Sequence, residues 1–258
     1  MNENLDNLFD LSGKVALITG GNKGIGKGIA KGLGLHGSKI IIASRDKKAN
    51  KKTCEEFSSL NIETISLEID MTDQSQIQPL VSNIVNAYSR LDILVNNAGT
   101  ALRSNAEDTT NKDWQYIMDL NLNSVYWLSK EVYPLMKLQG SGKIINIGSM
   151  YSIFGSGTVP SYSTTKGGIV QLTKSLAVGW AKDSINVNAI LPGWIKTNLT
   201  NGMPKNDPER YRKVSERIAI GKWGIPEDLA GAAIFLASRA SDYITGTSIV
   251  VDGGYSVN

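Results

Sequence analysis

The chain has very little of the chemistry on which disulfide-linked and metal-binding proteins depend. Its 258 residues include one cysteine, Cys54, and one histidine, His36. A single cysteine cannot form an intramolecular disulfide, and one residue of each type cannot complete a His₃ or Cys₂His zinc site. We therefore expect no bound metal, and we expect a reducing, cytoplasmic environment.

Excess charge and long apolar runs are also lacking. The 27 lysines and arginines outnumber the 24 aspartates and glutamates by only 3, which argues against a nucleic-acid partner. No apolar run approaches the roughly 18 residues of a membrane helix. Residues 1–6 lack the basic and apolar regions of a secretory signal, so we expect no membrane partner.

Short apolar runs, rich in β-branched residues, recur along the chain. Most are apolar on both faces, which is typical of buried parallel strands. The segments between them carry apolar residues every four positions, as in Ile25, Ile29 and Leu33, and this spacing predicts helices. The alternation predicts one α/β domain over residues 1–258, built from βαβ units with helices on both faces of a sheet. The predicted strands cover residues 15–19, 39–43, 62–69, 93–96, 143–147, 185–190 and 248–251.

Residues 197–217 break this pattern, because they combine Gly202, Pro204 and Pro208 with many charges. The segment follows a predicted strand, so it begins at the carboxyl edge of the sheet. We predict a mobile substrate lid with two short helices, and the alternative is a solvated surface loop.

A glycine-rich loop joins the first predicted strand to the first helix. Gly20 permits the tight turn, Gly24 lets the backbone approach a pyrophosphate, and Gly26 lets the helix pack against the strand. The helix start then presents free N–H groups and the positive end of its dipole. This context predicts a dinucleotide site formed by Gly20, Asn22, Lys23, Gly24, Ile25 and Gly26.

The end of the second strand bears on which dinucleotide binds. NAD-binding proteins usually place an acid here to hold the ribose hydroxyls, whereas this chain has Ser44 and Arg45. Together with Lys23 they could hold a 2′-phosphate, so we predict NADP(H) in preference to NAD(H). Asp46 would weaken this preference if it pointed inward.

Tyr162 and Lys166 are four residues apart in a helical pattern, so they share one helix face. Ser149 follows a predicted strand at the carboxyl edge, where ligands bind in α/β folds. An isolated Tyr-x-x-x-Lys is usually an ordinary packing tyrosine and a surface lysine. Together with Ser149 and the glycine loop, the pair predicts a reaction centre.

These motifs, taken together, resemble the short-chain dehydrogenase/reductase family over nearly the whole chain. The resemblance implies a doubly wound, seven-stranded parallel sheet and a nicotinamide cofactor. It also implies that Tyr162 is the general acid/base, that Lys166 lowers the tyrosine pKa and holds the nicotinamide ribose, and that Ser149 hydrogen-bonds the substrate oxygen. Asn121 would help to order a water relay to Lys166. The motifs are Gly20-x-x-x-Gly24-Ile25-Gly26, Asn96-Asn97-Ala98-Gly99, Ser149, Tyr162-x-x-x-Lys166 and Pro192-Gly193.

Further cofactor contacts follow from the same resemblance. The adenine contacts would be Asp70 and Met71. The ribose would lie near Asn97, Ala98 and Gly99, and the carboxamide near Pro192, Gly193, Ile195 and Thr197.

The substrate class is less narrowly indicated. Residues 8–14 and 221–231 resemble sugar-acid dehydrogenases of the gluconate 5-dehydrogenase type, and the rest resembles 3-oxoacyl-carrier-protein reductases about as well. We predict a small-molecule alcohol or ketone substrate, with a sugar acid, a polyol or a β-keto thioester as options. The non-enzymatic alternative is an NADP-binding redox sensor, but such proteins typically lose the tyrosine or lysine that this chain keeps. Lys205, Arg210 and Arg212 could meet an anionic substrate, but we interpret them as exposed lid charges.

The helices around residues 114–138 and 162–181 carry apolar residues on more than one face. The family often forms tetramers through these helices, and residues 246–258 often join in. We therefore predict a homotetramer.

Overall fold

A seven-stranded sheet forms the centre of the protein in the computed structural model, which describes residues 5–258. Residues 1–4, which belong to the predicted domain and to the segment predicted to lack a secretory signal, lie outside the described residues. The strands are β1 (Val15–Thr19), β2 (Lys39–Ser44), β3 (Thr64–Glu68), β4 (Ile93–Asn96), β5 (Gly142–Ile147), β6 (Ile185–Pro192) and β7 (Ser248–Val251). They pair in parallel in the order β3-β2-β1-β4-β5-β6-β7. The predicted doubly wound, seven-stranded α/β fold is confirmed.

Helices connect the strands and cover both faces of the sheet. The α-helices are α1 (Gly24–Leu35), α2 (Lys47–Ser58), α3 (Ile77–Tyr88), α4 (Asn111–Met118), α5 (Ser124–Gln139), α6 (Pro160–Trp180), α7 (Met203–Asn206), α8 (Pro208–Arg217) and α9 (Ala230–Ala237). Single 3₁₀ turns cover Leu5–Asn7, Gln74–Gln76, Met150–Ser152, Ala181–Asp183, Pro226–Leu229 and Arg239–Ser241, and a π-helical turn at Asp119–Asn123 joins α4 to α5. None of the helices within residues 5–258 combines the length and the apolar character needed to cross a bilayer.

Alternate residues of the strands feed two separate cores. Ala16 and Ile18 of β1 pack into one core with α1 and α9, whereas Val15 and Leu17 pack into the other with α3 and α5. All four side chains are at most 1 % exposed. This burial on both faces is why the strands lack polar alternation in the sequence.

Four strands differ in their bounds from those predicted, and in β2 and β5 the difference is a single residue. The 62–69 run shortens to Thr64–Glu68, because the Ile62 N–H bonds the Phe57 carbonyl at the end of α2 and does not join the sheet. The 185–190 run lengthens to Pro192, because β6 stays paired with β7 as far as Pro192 and Val251. Strand ends depend on neighbouring strands, which a local pattern does not contain.

Asp92 anchors the entrance of β4 beside that of β1. Its carboxylate accepts hydrogen bonds from the Val15 N–H at 2.9 Å and from Arg90 at 2.8 and 2.6 Å, with the Lys14 ammonium 3.5 Å away. Burial acts to raise the pKa of Asp92, but the bonds from Arg90 and Val15, with Lys14, outweigh it and hold the pKa below 3.8. This carboxylate therefore stabilises the fold above pH 3.8, and its contribution is lost as the pH falls through the folded-state pKa.

Asp92→Asn is expected to lower the free energy of unfolding by about 1–3 kcal/mol at pH 7, because the charge-assisted bonds are lost while one amide acceptor remains. Urea denaturation at pH 7 and at acidic pH measures the effect, which should shrink where the wild-type carboxylate is protonated. Lys14→Ala is the control. The ion pair between the half-exposed Lys14 ammonium and Asp92 should contribute less than about 1 kcal/mol to the free energy of unfolding. Equal stability of wild type and Asp92→Asn at pH 7 would contradict this account.

Candidate active site

A cavity of about 790 Å³ opens at the carboxyl edge of the sheet. The strand order reverses beside β1, so the loops after β1 and β4 diverge and leave a crevice, as expected for a ligand site in this type of sheet. Most of the predicted site residues line this one cavity. They are Gly20, Asn22, Lys23, Gly24, Ile25, Ser44, Arg45, Met71, Asn97, Ala98, Gly99, Ser149, Tyr162, Lys166, Pro192, Gly193, Ile195 and Thr197.

Three predicted residues do not line the cavity themselves. Gly26 packs beneath the glycine loop, and a Cβ there would lie 2.4 Å from the Asn97 amide nitrogen. The carboxylate of Asp70 accepts bonds from Thr72 and pairs with Arg45. Asn121 is 1 % exposed. We therefore regard these three as supports of the site in this structure.

The glycine loop leaves the start of α1 free for a ligand. The N-cap residue Lys23 makes no side-chain capping bond, so the first N–H groups of α1 have no side-chain partner. Gly20 and Gly24 have φ values of +65° and +53°, which favour glycine. Thr19 ties this loop to the next wall, because its hydroxyl accepts the N–H groups of Asn97 and Ala98 at 3.0 and 2.9 Å. The geometry suits a pyrophosphate on the helix start.

Asn22 and Ser44 form a buried polar chain at the far end of the cavity. The Asn22 amide donates to the Ser44 hydroxyl at 2.6 Å, and that hydroxyl donates to the Asn50 side chain at 2.6 Å. Ser44 has therefore committed its proton within the protein, which the sequence did not reveal. The side-chain oxygen of Asn22, Oδ1, is buried without a hydrogen-bond partner. This unpaired acceptor fits a ligand hydroxyl, such as that of a ribose.

The arginine at this end of the cavity makes only weak contacts with the rest of the protein. Arg45 is exposed and makes two long contacts of 3.4 Å, one to the Asp70 carboxylate and one to the Tyr116 hydroxyl. Such contacts contribute little and can be exchanged for a ligand phosphate. The carboxylate of Asp46 caps α2 by accepting the Ala49 N–H at 2.9 Å. This capping bond opposes an inward turn of Asp46, which would have weakened the prediction of a 2′-phosphate site.

Ser149, Tyr162 and Lys166 meet at the middle of the cavity. Tyr162 lies in the first turn of α6, and the Lys166 ammonium lies 5.6 Å from the centre of its ring. Lys166 is only 5 % exposed, because it shares the buried face of α6 with Ile169 and Thr173. Its Nζ donates to the Ile147 carbonyl at 2.7 Å, at the end of β5. Ser149 lies two residues after the end of β5, so the strand end and the helix start bring the three side chains together.

Burial controls the electrostatics of this group. Burial raises the pKa of Tyr162 above 10.0, the neighbouring Tyr151 raises it further, and a hydrogen bond with Ser149 opposes the rise. Burial also lowers the pKa of Lys166 from 10.5 to about 8. Loss of water around the phenol outweighs the Ser149 hydrogen bond, and the expected lowering of the tyrosine pKa by Lys166 remains a prediction. Tyr162 therefore keeps its proton at neutral pH.

Asn121 supports the group from the π-helical turn. Its side chain accepts the Thr100 N–H at 3.0 Å, donates to the Thr100 carbonyl at 2.8 Å, and donates to the Thr165 hydroxyl at 3.3 Å. These bonds tie the loop after β4 to α6, next to Lys166. The predicted water relay through its backbone remains a prediction.

The lid segment, residues 197–217, is docked onto aromatic rings. Tyr211 of α8 stacks on Trp223 with ring centres 5.0 Å apart. The Arg217 guanidinium lies 4.5 Å from the centre of the Tyr255 ring, and its Nε donates to the Asn258 carbonyl at 2.9 Å. The C-terminal residues thus help to hold this segment beside the cavity.

Arg210 corrects one sequence interpretation. It was assigned with Lys205 and Arg212 to the exposed lid charges, and the latter two are indeed exposed. Arg210 is half-buried and lines the cavity. Helical spacing could have predicted this position, since Arg210 lies four residues before the buried Val214 and so shares its inward face.

Comparison with known proteins agrees with this geometry. Residues 20–256 match the family model described as enoyl-(acyl carrier protein) reductase. The chain belongs to the short-chain dehydrogenase/reductase family. It is an oxidoreductase that acts on CH–OH groups, as the family's named dehydrogenases and reductases do.

Several relatives cover nearly the full chain. The 2-dehydro-3-deoxy-D-gluconate 5-dehydrogenase of Dickeya dadantii is 44% identical, over 96% of this chain and 98% of its own. The gluconate 5-dehydrogenase of Gluconobacter oxydans is 35% identical, over 97% and 98%. The crystal structure of a gluconate 5-dehydrogenase from Burkholderia cenocepacia, in complex with NADP and tartrate, superposes with a TM-score of 0.93 at 34% identity, covering 98% of each chain.

Proposed function

We propose that the protein transfers a hydride between the nicotinamide of NADP(H) and a carbinol or ketone carbon of a sugar acid. The observation that carries the proposal is the meeting of Ser149 and Tyr162 with the glycine loop in one cavity. The relatives named for gluconate and its 2-dehydro-3-deoxy derivative support the substrate class.

The cofactor site runs along the cavity. The N–H groups at the start of α1 would hold the pyrophosphate, Lys23 and Arg45 the 2′-phosphate, and Lys166 the nicotinamide ribose. Residues from Pro192 to Thr197 would hold the carboxamide. When bound, the nicotinamide supplies or accepts the hydride.

The protein residues manage the proton. In reduction, the Tyr162 hydroxyl gives its proton to the substrate oxygen while carbon receives the hydride, so a ketone becomes an alcohol. Ser149 donates a hydrogen bond to the same oxygen. Because burial raises the pKa of Tyr162, the acid form is available for reduction at neutral pH, and oxidation requires a higher pH.

The proposal is tested by following cofactor absorbance with a substrate panel. A 5-keto sugar acid should be reduced by NADPH faster than a neutral ketose or a β-keto thioester. Faster turnover of the thioester would favour a 3-oxoacyl reductase. NADPH binding with no turnover of any member would favour the redox sensor.

Arg45→Ala is expected to weaken NADPH binding by about 10- to 100-fold and NADH binding by less than about twofold, because a charge-assisted bond to the 2′-phosphate is lost. Fluorescence titration of each cofactor measures the effect. Lys48→Ala, an exposed cation on α2, is the control and should change neither affinity. Equal losses for both cofactors would contradict the 2′-phosphate contact.

The remaining proposals concern the oligomeric state, the location, the domain organisation and the access of substrate to the cavity. We propose a cytoplasmic homotetramer of single domains spanning residues 1–258, in which residues 197–217 open to admit substrate. Support comes from large apolar side chains exposed on α5 and α6, with Leu138 at 86 % and Val178 at 83 %. Light scattering should give four times the chain mass of 27.9 kDa, and a monomer at assay concentration would contradict the assembly.

A further inference from the structure

Five cationic side chains line the cavity. Four of them either contact a carboxylate or a carbonyl of the protein or lie in the glycine loop of the proposed cofactor site. Arg45 pairs with Asp70, and Arg103 pairs with Asp207 at 3.5 Å. Lys166 is bonded to a carbonyl, and Lys23 lies in the glycine loop. The fifth, Arg210, makes no ion pair with any carboxylate among residues 5–258.

The structure holds Arg210 in place without neutralising it. Its Nη2 donates to the Tyr151 hydroxyl at 3.0 Å, and its guanidinium lies 5.4 Å from the centre of the Trp194 ring. Its backbone N–H bonds the capping carboxylate of Asp207 at the start of α8. A guanidinium has five N–H donors, and the described residues occupy only one of them. The side chain is therefore a positioned cation with donors to spare.

Arg210 also lies close to the reaction centre. The Tyr151 ring that it holds meets the Tyr162 ring edge-on, with centres 6.0 Å apart. One aromatic ring thus separates the free cation from the proton donor. A short, flexible acid can span this gap with its carboxylate at one end and its reacting carbon at the other.

We propose that Arg210 binds the substrate carboxylate and thereby selects sugar acids over neutral sugars and polyols. The inference rests on the proposed function and deepens it. The remaining N–H donors match a carboxylate in a two-point contact. The Tyr151 hydroxyl accepts from Arg210, so its own proton can donate to the same carboxylate. Half-burial strengthens the contact by limiting competition from water.

Two measurements on Arg210→Gln test the proposal, with Arg212→Gln on the exposed side of α8 as the matched control. The first is calorimetric binding of tartrate to the NADP⁺-loaded protein, which needs no turnover. The second compares kcat/KM for 5-keto-D-gluconate and for its uncharged counterpart, L-sorbose, in which a hydroxymethyl group replaces the carboxylate.

Arg210→Gln should weaken tartrate binding by about 10- to 100-fold and lower kcat/KM for the acid by a similar factor, mainly through KM. Turnover of the neutral ketone should change by less than about twofold, and Arg210→Lys should recover part of the loss.

Equal losses for acid and ketone, or unchanged tartrate binding, would overturn the inference. If the wild type binds tartrate through Arg210 yet reduces no sugar acid, the carboxylate site stands and the proposed function fails. If Arg210→Gln reduces the acid as well as the wild type does, the function stands and this inference fails.

Discussion

Tyr162→Phe is expected to lower kcat for ketone reduction by about 10²- to 10⁴-fold, because it removes the proton donor that faces the substrate. The phenyl ring keeps the edge contact with Tyr151 and the packing of α6, so NADPH binding should stay within about twofold. Tyr162 is partly exposed and its hydroxyl faces the cavity, so loss of that hydroxyl should leave the fold intact.

Steady-state kinetics and NADPH titration on the same samples separate these effects. Tyr243→Phe makes the same chemical change at a fully exposed ring and is the control. Reduction by Tyr162→Phe at the wild-type rate would refute the assigned acid. Loss of NADPH binding in parallel with activity would indicate a structural role.

Lys166→Met is expected to abolish most activity and at the same time to stabilise the protein. The difference between a pKa of 10.5 and about 8 corresponds to about 3 kcal/mol of unfavourable charge burial at neutral pH. Methionine removes this cost and leaves the Ile147 carbonyl without its partner, which costs about 1 kcal/mol. The expected net gain is about 2 kcal/mol in the free energy of unfolding. Loss of the ammonium beside Tyr162 should lower kcat by at least about 10²-fold.

The pH dependence of unfolding tests the cause of this gain. Between about pH 8 and 10.5 the unfolded wild type binds more protons at Lys166 than the folded protein does, so its stability should rise with pH. Lys166→Met should lack this rise, and its advantage should vanish near pH 10.5. Lys174→Met, on the exposed side of α6, is the control. Lower stability of Lys166→Met at pH 7 would contradict the burial argument.

The sequence predicted the fold well, because its strands are apolar on both faces and this signal is local. It predicted the reaction centre for a similar reason, since four-residue spacing places Tyr162 and Lys166 on one face of any helix. The glycine loop was also readable, because Gly20 and Gly24 adopt positive φ values that few other residues tolerate.

Contacts between distant segments account for what the sequence did not predict. The Asn22 amide reaches the Ser44 hydroxyl only after β1 and β2 have paired, and Asp70 meets Arg45 only after β2 and β3 have paired. The raised pKa of Tyr162 depends on how completely the surrounding elements exclude water. Helical spacing places Arg210 on the same face as Val214, but the Trp194 ring and the Tyr151 hydroxyl that it contacts lie outside the helix. Each of these is a property of the assembled tertiary structure.

Isotope transfer tests the central claim most directly. The wild type is incubated with 5-keto-D-gluconate and NADPH that carries deuterium at both C4 positions, and the product is examined by mass spectrometry and NMR. The account predicts one deuterium on the carbon that becomes the carbinol, and at least about 10²-fold less deuterated product over the same time from Tyr162→Phe. Hydrogen from solvent at that carbon, or equal deuterium transfer by Tyr162→Phe, would contradict it.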